Sequence, residues 1–200
     1  MKKFDGFDEA KSNAKYSGGG RLPAGAYVCK VLGVKYEEQP DKESDRIIIQ
    51  FDIAEGDYNG FFTEQYQKNT KEDKKYKGKT TIYAPNDNTK DQWRKDSFAK
   101  WTNAFEDSNP GYAWDWDEKK WKGKLVGIVF GDTGTKINGN DIVYTEARFP
   151  CAADDVRNGV APEAKFKAKN GYGESAPTDS GNGTDFMSVP DNIEEDLPWN

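Results

Sequence analysis

The sequence predicts a mainly β domain: a five-stranded Greek-key barrel with one helix between strands three and four, followed by a disordered acidic tail. Three observations carry that expectation. Segments of alternating apolar and polar residues outnumber helical ones. The one long helical pattern falls between the third and fourth of these segments. From about residue 170 the chain is mostly Gly, Ser, Asn, Thr, Asp and Pro, a composition that buries too little apolar surface to offset the entropy of ordering. The expected layout is a flexible arm over 1–20, the barrel domain over 21–169 and the tail over 170–200.

In the arm, Phe4–Ala10 suits a short helix and Gly18-Gly19-Gly20 breaks it. The first strand covers about 26–36, with Val28, Lys30, Leu32, Val34 and Tyr36 on one face and Tyr27, Cys29, Val31 and Gly33 on the other; Gly33 marks a bulge or a sharp bend. The second strand, about 45–55, alternates cleanly: Ile47, Ile49, Phe51 and Ile53 face one way, Arg46, Ile48, Gln50 and Asp52 the other. After the turn at Glu55–Gly60, a third strand is expected over 61–67, and Ile82-Tyr83 suits a further short strand. A helix follows over about 89–107, with Phe98, Trp101 and Phe105 in one stripe and Trp93 at its edge; Asn109-Pro110-Gly111 ends it. Strands four (124–131) and five (141–149) flank a Gly-, Thr- and Asn-rich connector, Asp132–Asn140, read as a hairpin loop. Residues 153–157 suit one helical turn. Three strands, a helix and a hairpin make the element order of an OB-fold barrel. Its core takes Ile47, Ile49, Phe51, Ile53, Val126, Ile128 and Phe130, closed at one end by Phe98, Trp101 and Phe105. A β-sandwich is the alternative, but five or six strands are few for it.

Composition narrows the function classes. The chain has 200 residues and a net charge of −6. Only 34% of residues are hydrophobic, but 6 Trp, 10 Tyr and 11 Phe supply large side chains for a small core. The charge is unevenly placed. From Glu174 to Asn200 there are seven acids and no Lys or Arg, so the rest of the chain is close to neutral. No apolar run approaches the ~18 residues of a membrane span, and Met1-Lys2-Lys3 leads into a polar stretch. A cytoplasmic protein with no membrane contact is expected, and Cys29 and Cys151 are then reduced thiols.

There is no His, which removes the commonest general base and metal ligand. Asp154-Asp155 and Asp115-x-Asp117-Glu118 are the tightest acidic groups, and both read as solvated charge. The sequence therefore calls for no enzyme, no metal and no cofactor.

Two stretches interleave Lys with aromatics: Lys74-Lys75-Tyr76-Lys77-Gly78-Lys79 and Lys119-Lys120-Trp121-Lys122-Gly123-Lys124. Ammonium groups meet phosphates and release counterions, and aromatic faces stack bases with little sequence preference. The expected single-stranded DNA contacts are Lys74, Lys75, Tyr76, Lys77, Lys79, Trp121, Lys122 and Lys124. Arg46, Ile48 and Gln50 on strand two join them, with Tyr144 and Arg148 on strand five.

The chain ends Glu194-Glu195-Asp196-Leu197-Pro198-Trp199-Asn200. A polar linker, a few acids, an apolar residue, Pro and an aromatic resemble the C-terminal tip of bacterial and phage single-stranded DNA-binding proteins. The sequence departs from that pattern in carrying Trp199 where Phe is usual, and Asn200 after it. Leu22-Pro23-Ala24-Gly25-Ala26-Tyr27, with the run from Ile49 to Phe61, is similar to the "LPAG-x-Y … F-x-I-x-x-G-x-Y-x-G" pattern of small phage replication-associated proteins. That likeness covers about residues 22–66. The resemblance implies a non-catalytic single-stranded DNA-binding protein acting in phage DNA replication or recombination within a bacterial host cytoplasm. Its tip (Glu194, Glu195, Asp196, Leu197, Pro198, Trp199) would recruit replication, repair and recombination proteins. A homo-oligomer is compatible with it. Two other classes stand beside this one: a carbohydrate-binding module using Trp114, Trp116 and Trp121 as a sugar platform, and a metal-dependent nuclease.

Overall fold

A computed structural model describes residues 20–173. The arm up to residue 19 and the tail from 174 onward, with its tip, lie outside them. Strand β1 (Gly25–Glu37) pairs antiparallel with β2 (Ser44–Ile53) on one side and with β4 (Leu125–Ile137) on the other. Its register jumps between Val31 and Gly33. Leu32 is the extra residue of a bulge and faces solvent. The jump shifts the alternation by one, so the inward positions are Cys29 and Val31 before the bulge and Val34 after it.

β2 keeps the expected alternation, and Ile47, Ile49, Phe51 and Ile53 are all buried. Residues 61–67, expected as the third strand, instead form helix α1 (Phe61–Lys68). The cause is a distant cap. Asp52, at the end of β2, accepts the backbone N–H groups of Phe62 at 2.9 Å and Thr63 at 2.9 Å, satisfying donors that the first turn of a helix leaves orphaned. Glu64 and Lys68 pair along the same helix at 3.1 Å. The third strand is β3 (Lys79–Pro85), antiparallel to β2.

Helix α2 (Gln92–Ser108) turns Phe98, Trp101, Ala104 and Phe105 into the core cluster that also holds Val126, Ile128 and the buried residues of β1 and β2. Trp93, at its N-terminal end, points away and is 54% exposed. A 3₁₀ turn, Glu118–Trp121, leads into β4. β4 and β5 (Asn140–Cys151) form a long hairpin. The connector expected over 132–140 is mostly strand, and only Asn138 and Gly139 make the turn, both at positive φ. That geometry is the type I′ turn an Asn-Gly pair favours. Polar composition misleads here because Thr133 and Thr135 are buried, and the Thr133 hydroxyl is satisfied by Glu146 at 2.9 Å. Helix α3 (Ala153–Arg157) follows, and β6 (Lys167–Lys169) adds parallel to β4.

The architecture is mainly β, with one six-stranded sheet in the order β3-β2-β1-β4-β5 and β6 on β4. The sheet does not close into a barrel, since no ladder joins β3 to β5 among the described residues. Residues 20–22 run beside this gap. The Thr145 hydroxyl donates to the Leu22 carbonyl at 2.6 Å, Arg21 pairs with Asp132 at 2.9 Å, and Gln65 donates to the Gly20 carbonyl.

Candidate nucleic-acid interface

The opening between β3 and β5 is a cleft of about 520 Å³. Leu22, Phe61 and Phe62 line it from the core side. The chain entering β3 supplies Lys75, Tyr76, Lys77 and Lys79, and β5 supplies Tyr144 and Glu146. Gly78 makes the Lys-bearing side possible. A Cβ there would lie 2.3 Å from the Phe51 carbonyl oxygen and 2.8 Å from the Phe62 ring, so only glycine lets this segment lie against β2. The Gly78 carbonyl accepts the Phe51 N–H at 2.8 Å, which holds the segment in place.

Tyr76 is half-buried, and its hydroxyl donates to the Phe51 carbonyl at 3.0 Å. Burial pushes that hydroxyl up to about 12, so it stays a neutral donor at physiological pH. The ring meets Tyr66 edge to face at 5.9 Å, and the Lys74 ammonium sits 4.7 Å from the centre of the Tyr66 ring. Lys77 and Lys79 are exposed and form no ion pair with a described residue. Across the cleft, Glu146 is engaged by Arg148 at 2.8 Å and by Lys169 at 3.6 Å, so much of its charge is compensated.

Lys79 also begins the outer face of β2 and β3. The register sets Gln50 beside Lys79, Ile48 beside Thr81 and Arg46 beside Tyr83. In an antiparallel pair such partners share a face, so Arg46, Ile48 and Gln50 stand in one row and Lys79, Thr81 and Tyr83 in the next. Arg46 forms no ion pair with a described residue. Cleft and outer face thus meet at Lys79. They bring together eight of the expected DNA-binding residues: Arg46, Ile48, Gln50, Lys75, Tyr76, Lys77, Lys79 and Tyr144. Lys74 stands next to them over Tyr66.

Four of the expected residues go elsewhere. Trp121 is 0% exposed and stacks on Phe105 with ring centres 4.5 Å apart. The 3₁₀ turn, capped by the Asp117 side chain on the Lys119 N–H, tucks the indole inward while the lysines beside it stay in water. Lys122 and Lys124 follow it along the edge of β1 that leads to β4, where Gly123 donates to the Val31 carbonyl at 2.8 Å. β1 therefore separates them from the β2–β3 face. The Lys124 ammonium rests 4.0 Å from the centre of the Tyr112 ring. Arg148 is turned inward, its side chain 13% exposed. It donates to the Asp132 carbonyl at 3.0 Å and to the Thr133 hydroxyl, and it pairs with Glu146. A guanidinium so engaged orders the β4–β5 hairpin. The tip residues Glu194, Glu195, Asp196, Leu197, Pro198 and Trp199 lie outside the described residues.

Tyr66 and Tyr83 are ring-bearing neighbours of this surface that the sequence pattern does not single out. Tyr66 lies inside the segment expected as a strand, and Tyr83 in a short strand with no assigned face. A signal for Tyr83 is present in the spacing: it lies four residues after Lys79, on the same side of a strand.

The alternative chemistries find less to work with. Of the proposed sugar platform, Trp121 is buried and Trp114 packs edge-on against Phe98 at 5.8 Å, leaving Trp116 as the exposed ring. Asp115 pairs with Lys120, and Asp154 pairs with Arg157 at 2.7 Å. No group of three His, Cys, Asp or Glu side chains that could hold a metal ion occurs among the described residues. Both cysteines are free and buried; burial pushes the Cys151 thiol up to about 11 and raises Cys29 strongly. No helix among the described residues is long and apolar enough to cross a membrane. No family model matches the chain, and no curated protein matches it.

Proposed function

We propose that this chain is a non-catalytic single-stranded DNA-binding protein that uses the cleft between β3 and β5 and the outer face of β2 and β3. The observation that carries the reading is the meeting of the two surfaces at Lys79: cations (exposed Lys77 and Lys79, half-buried Arg46) and aromatic rings (Tyr76, Tyr83, Tyr144) border the cleft and the adjoining β2–β3 face. Phosphates and unpaired bases ask for that mixture. The strand order, with α2 between β3 and β4, supports an OB-fold reading. An OB barrel is partly open, and the face formed by its second and third strands binds oligonucleotides. On this reading the gap between β3 and β5 is the open seam.

The likeness of residues 22–66 and of the C-terminal tip to phage single-stranded DNA-binding proteins supports a role in phage DNA replication or recombination in a bacterial cytoplasm. The tip then recruits replication, repair or recombination proteins. Binding needs no cofactor.

The test is a fluorescence-anisotropy titration of labelled oligo(dT) with the full chain across a salt series. Tight binding at low salt that weakens steeply with added salt is expected. Absence of binding at low salt overturns the reading. Parallel titrations with single-stranded RNA and duplex DNA set the preference among nucleic acids.

A further inference from the structure

We infer that Trp93, held against Tyr83 by Arg94 and Asp91, is a base-stacking platform that extends the nucleic-acid path beyond the end of the β2–β3 face; the inference rests on the function proposed above.

The helical pattern puts Trp93 at the edge of the core-facing stripe, yet its indole is 54% exposed. Tryptophan is highly buried on average. Its surroundings fix the ring instead of burying it. The indole N–H donates to the Asp91 carboxylate at 3.2 Å. The Tyr83 ring meets it edge to face, with centres 5.8 Å apart at 87°. The Arg94 guanidinium lies 4.9 Å from the centre of Tyr83 and 5.1 Å from that of Trp93. Arg94 is itself anchored, donating to the Ser44 hydroxyl at 2.8 Å and to Asp91 at 3.3 Å. An exposed ring already locked in one orientation loses little freedom when a ligand stacks on it.

The position suits the proposed ligand. Tyr83 is the cross-strand neighbour of Arg46, so Trp93 continues the row that starts at Lys79. Lys79, Thr81 and Tyr83 take every second position along a strand rising about 3.4 Å per residue. The path from Lys79 to the platform is therefore about 14 Å before the indole is reached. A phosphate at Arg46 leaves the adjoining base within reach of the Trp93 face. Because Asp91 and Glu43 already neutralise Arg94, the platform adds stacking and little net charge.

The experiment compares the full-length wild type with W93A and W93F for binding of labelled oligo(dT) over a salt series, with circular dichroism as the check on folding. W93A should weaken binding about 5- to 160-fold, the range for removing one base–aromatic stack. W93F, which keeps a π-face, should recover most of that affinity. The dependence of log K on log salt should be unchanged, because stacking releases no counterions. W93L, bulky but without a π-face, repeats the measurement if W93A folds poorly. Wild-type binding that W93A and W93L leave intact overturns the platform alone. A wild-type chain that does not bind overturns the parent function and the platform with it.

Discussion

Asp52 on β2 accepts the backbone N–H of Phe62 at 2.9 Å, so the end of a strand caps a helix that a loop separates from it. The same carboxylate takes the N–H groups of Ile53 and Thr63. Together these bonds fix where α1 starts and hence where Phe61 and Phe62 enter the core beneath the cleft. Replacing Asp52 with Ala leaves buried donors without partners. We expect destabilisation by about 1–3 kcal/mol, the range for removing a cap and orphaning a buried donor. Chemical denaturation followed by circular dichroism measures it; an unchanged midpoint would show that the cap contributes nothing.

Trp121 tests the division between core and interface. The indole is fully buried between Phe105, Phe98 and Trp114. Trp121→Ala should cost about 3–5 kcal/mol of stability, as large core truncations do, and should leave the DNA affinity of the folded fraction unchanged. A variant of wild-type stability with weakened DNA binding would return Trp121 to the interface.

The parts of the fold legible in the sequence are those that local pattern determines. β2 shows period-two alternation from Ile47 to Ile53, and α2 carries Phe98, Trp101 and Phe105 on one stripe. The bulge in β1 is signalled by Gly33. Features set by distant partners are not legible. Phe61–Lys68 is a helix because Asp52 caps it, and no window around residue 61 contains that information. The strand through Thr133 and Thr135 reads as a loop because its buried hydroxyls are satisfied by distant residues, Thr133 by Glu146 across the hairpin and Thr135 by Asn170 just after β6. The interface divides in the same way. The Lys–Tyr stretch Lys74–Lys79 borders the cleft, but the similar pattern at Lys119–Lys124 surrounds a core tryptophan. A ring flanked by lysines turns inward or outward according to the room beneath it, and in this fold the room is supplied by Phe105. The cleft exists only because β3 and β5 remain apart, a relation between segments about 60 residues apart in sequence.

Lys77 and Lys79 test the cleft directly. Both are exposed and unpaired with described residues, so each can release a counterion's worth of binding free energy. Replacing both with Ala should lower affinity for oligo(dT) at low salt. The slope of log K against log salt should also fall by about 0.7 for each phosphate that is no longer neutralised, as expected for a single strand. Lys122 is the matched control, because β1 stands between it and the β2–β3 face. Lys122→Ala should leave the slope unchanged. Equal effects from Lys122 and from the pair would mean that binding follows net charge and not this surface.

The acidic C terminus gives the last test, and it works through charge. Residues 191–200 include Asp191, Glu194, Glu195 and Asp196 and no basic residue. The rest of the chain, which carries the proposed DNA-binding surface, is close to neutral. Anions tethered to such a surface compete with phosphate for the same lysines, and the competition fades as salt screens it. Deleting 191–200 should therefore leave affinity for oligo(dT) unchanged or raise it at low salt, with the two chains converging as salt increases. The deletion also removes Leu197, Pro198 and Trp199, so it should abolish capture of replication and recombination proteins by the immobilised chain. Anisotropy measures the first effect and a pull-down compared with the full chain measures the second. A large drop in DNA affinity on truncation would make the tail part of the DNA site and contradict its role as a separate recruiting segment.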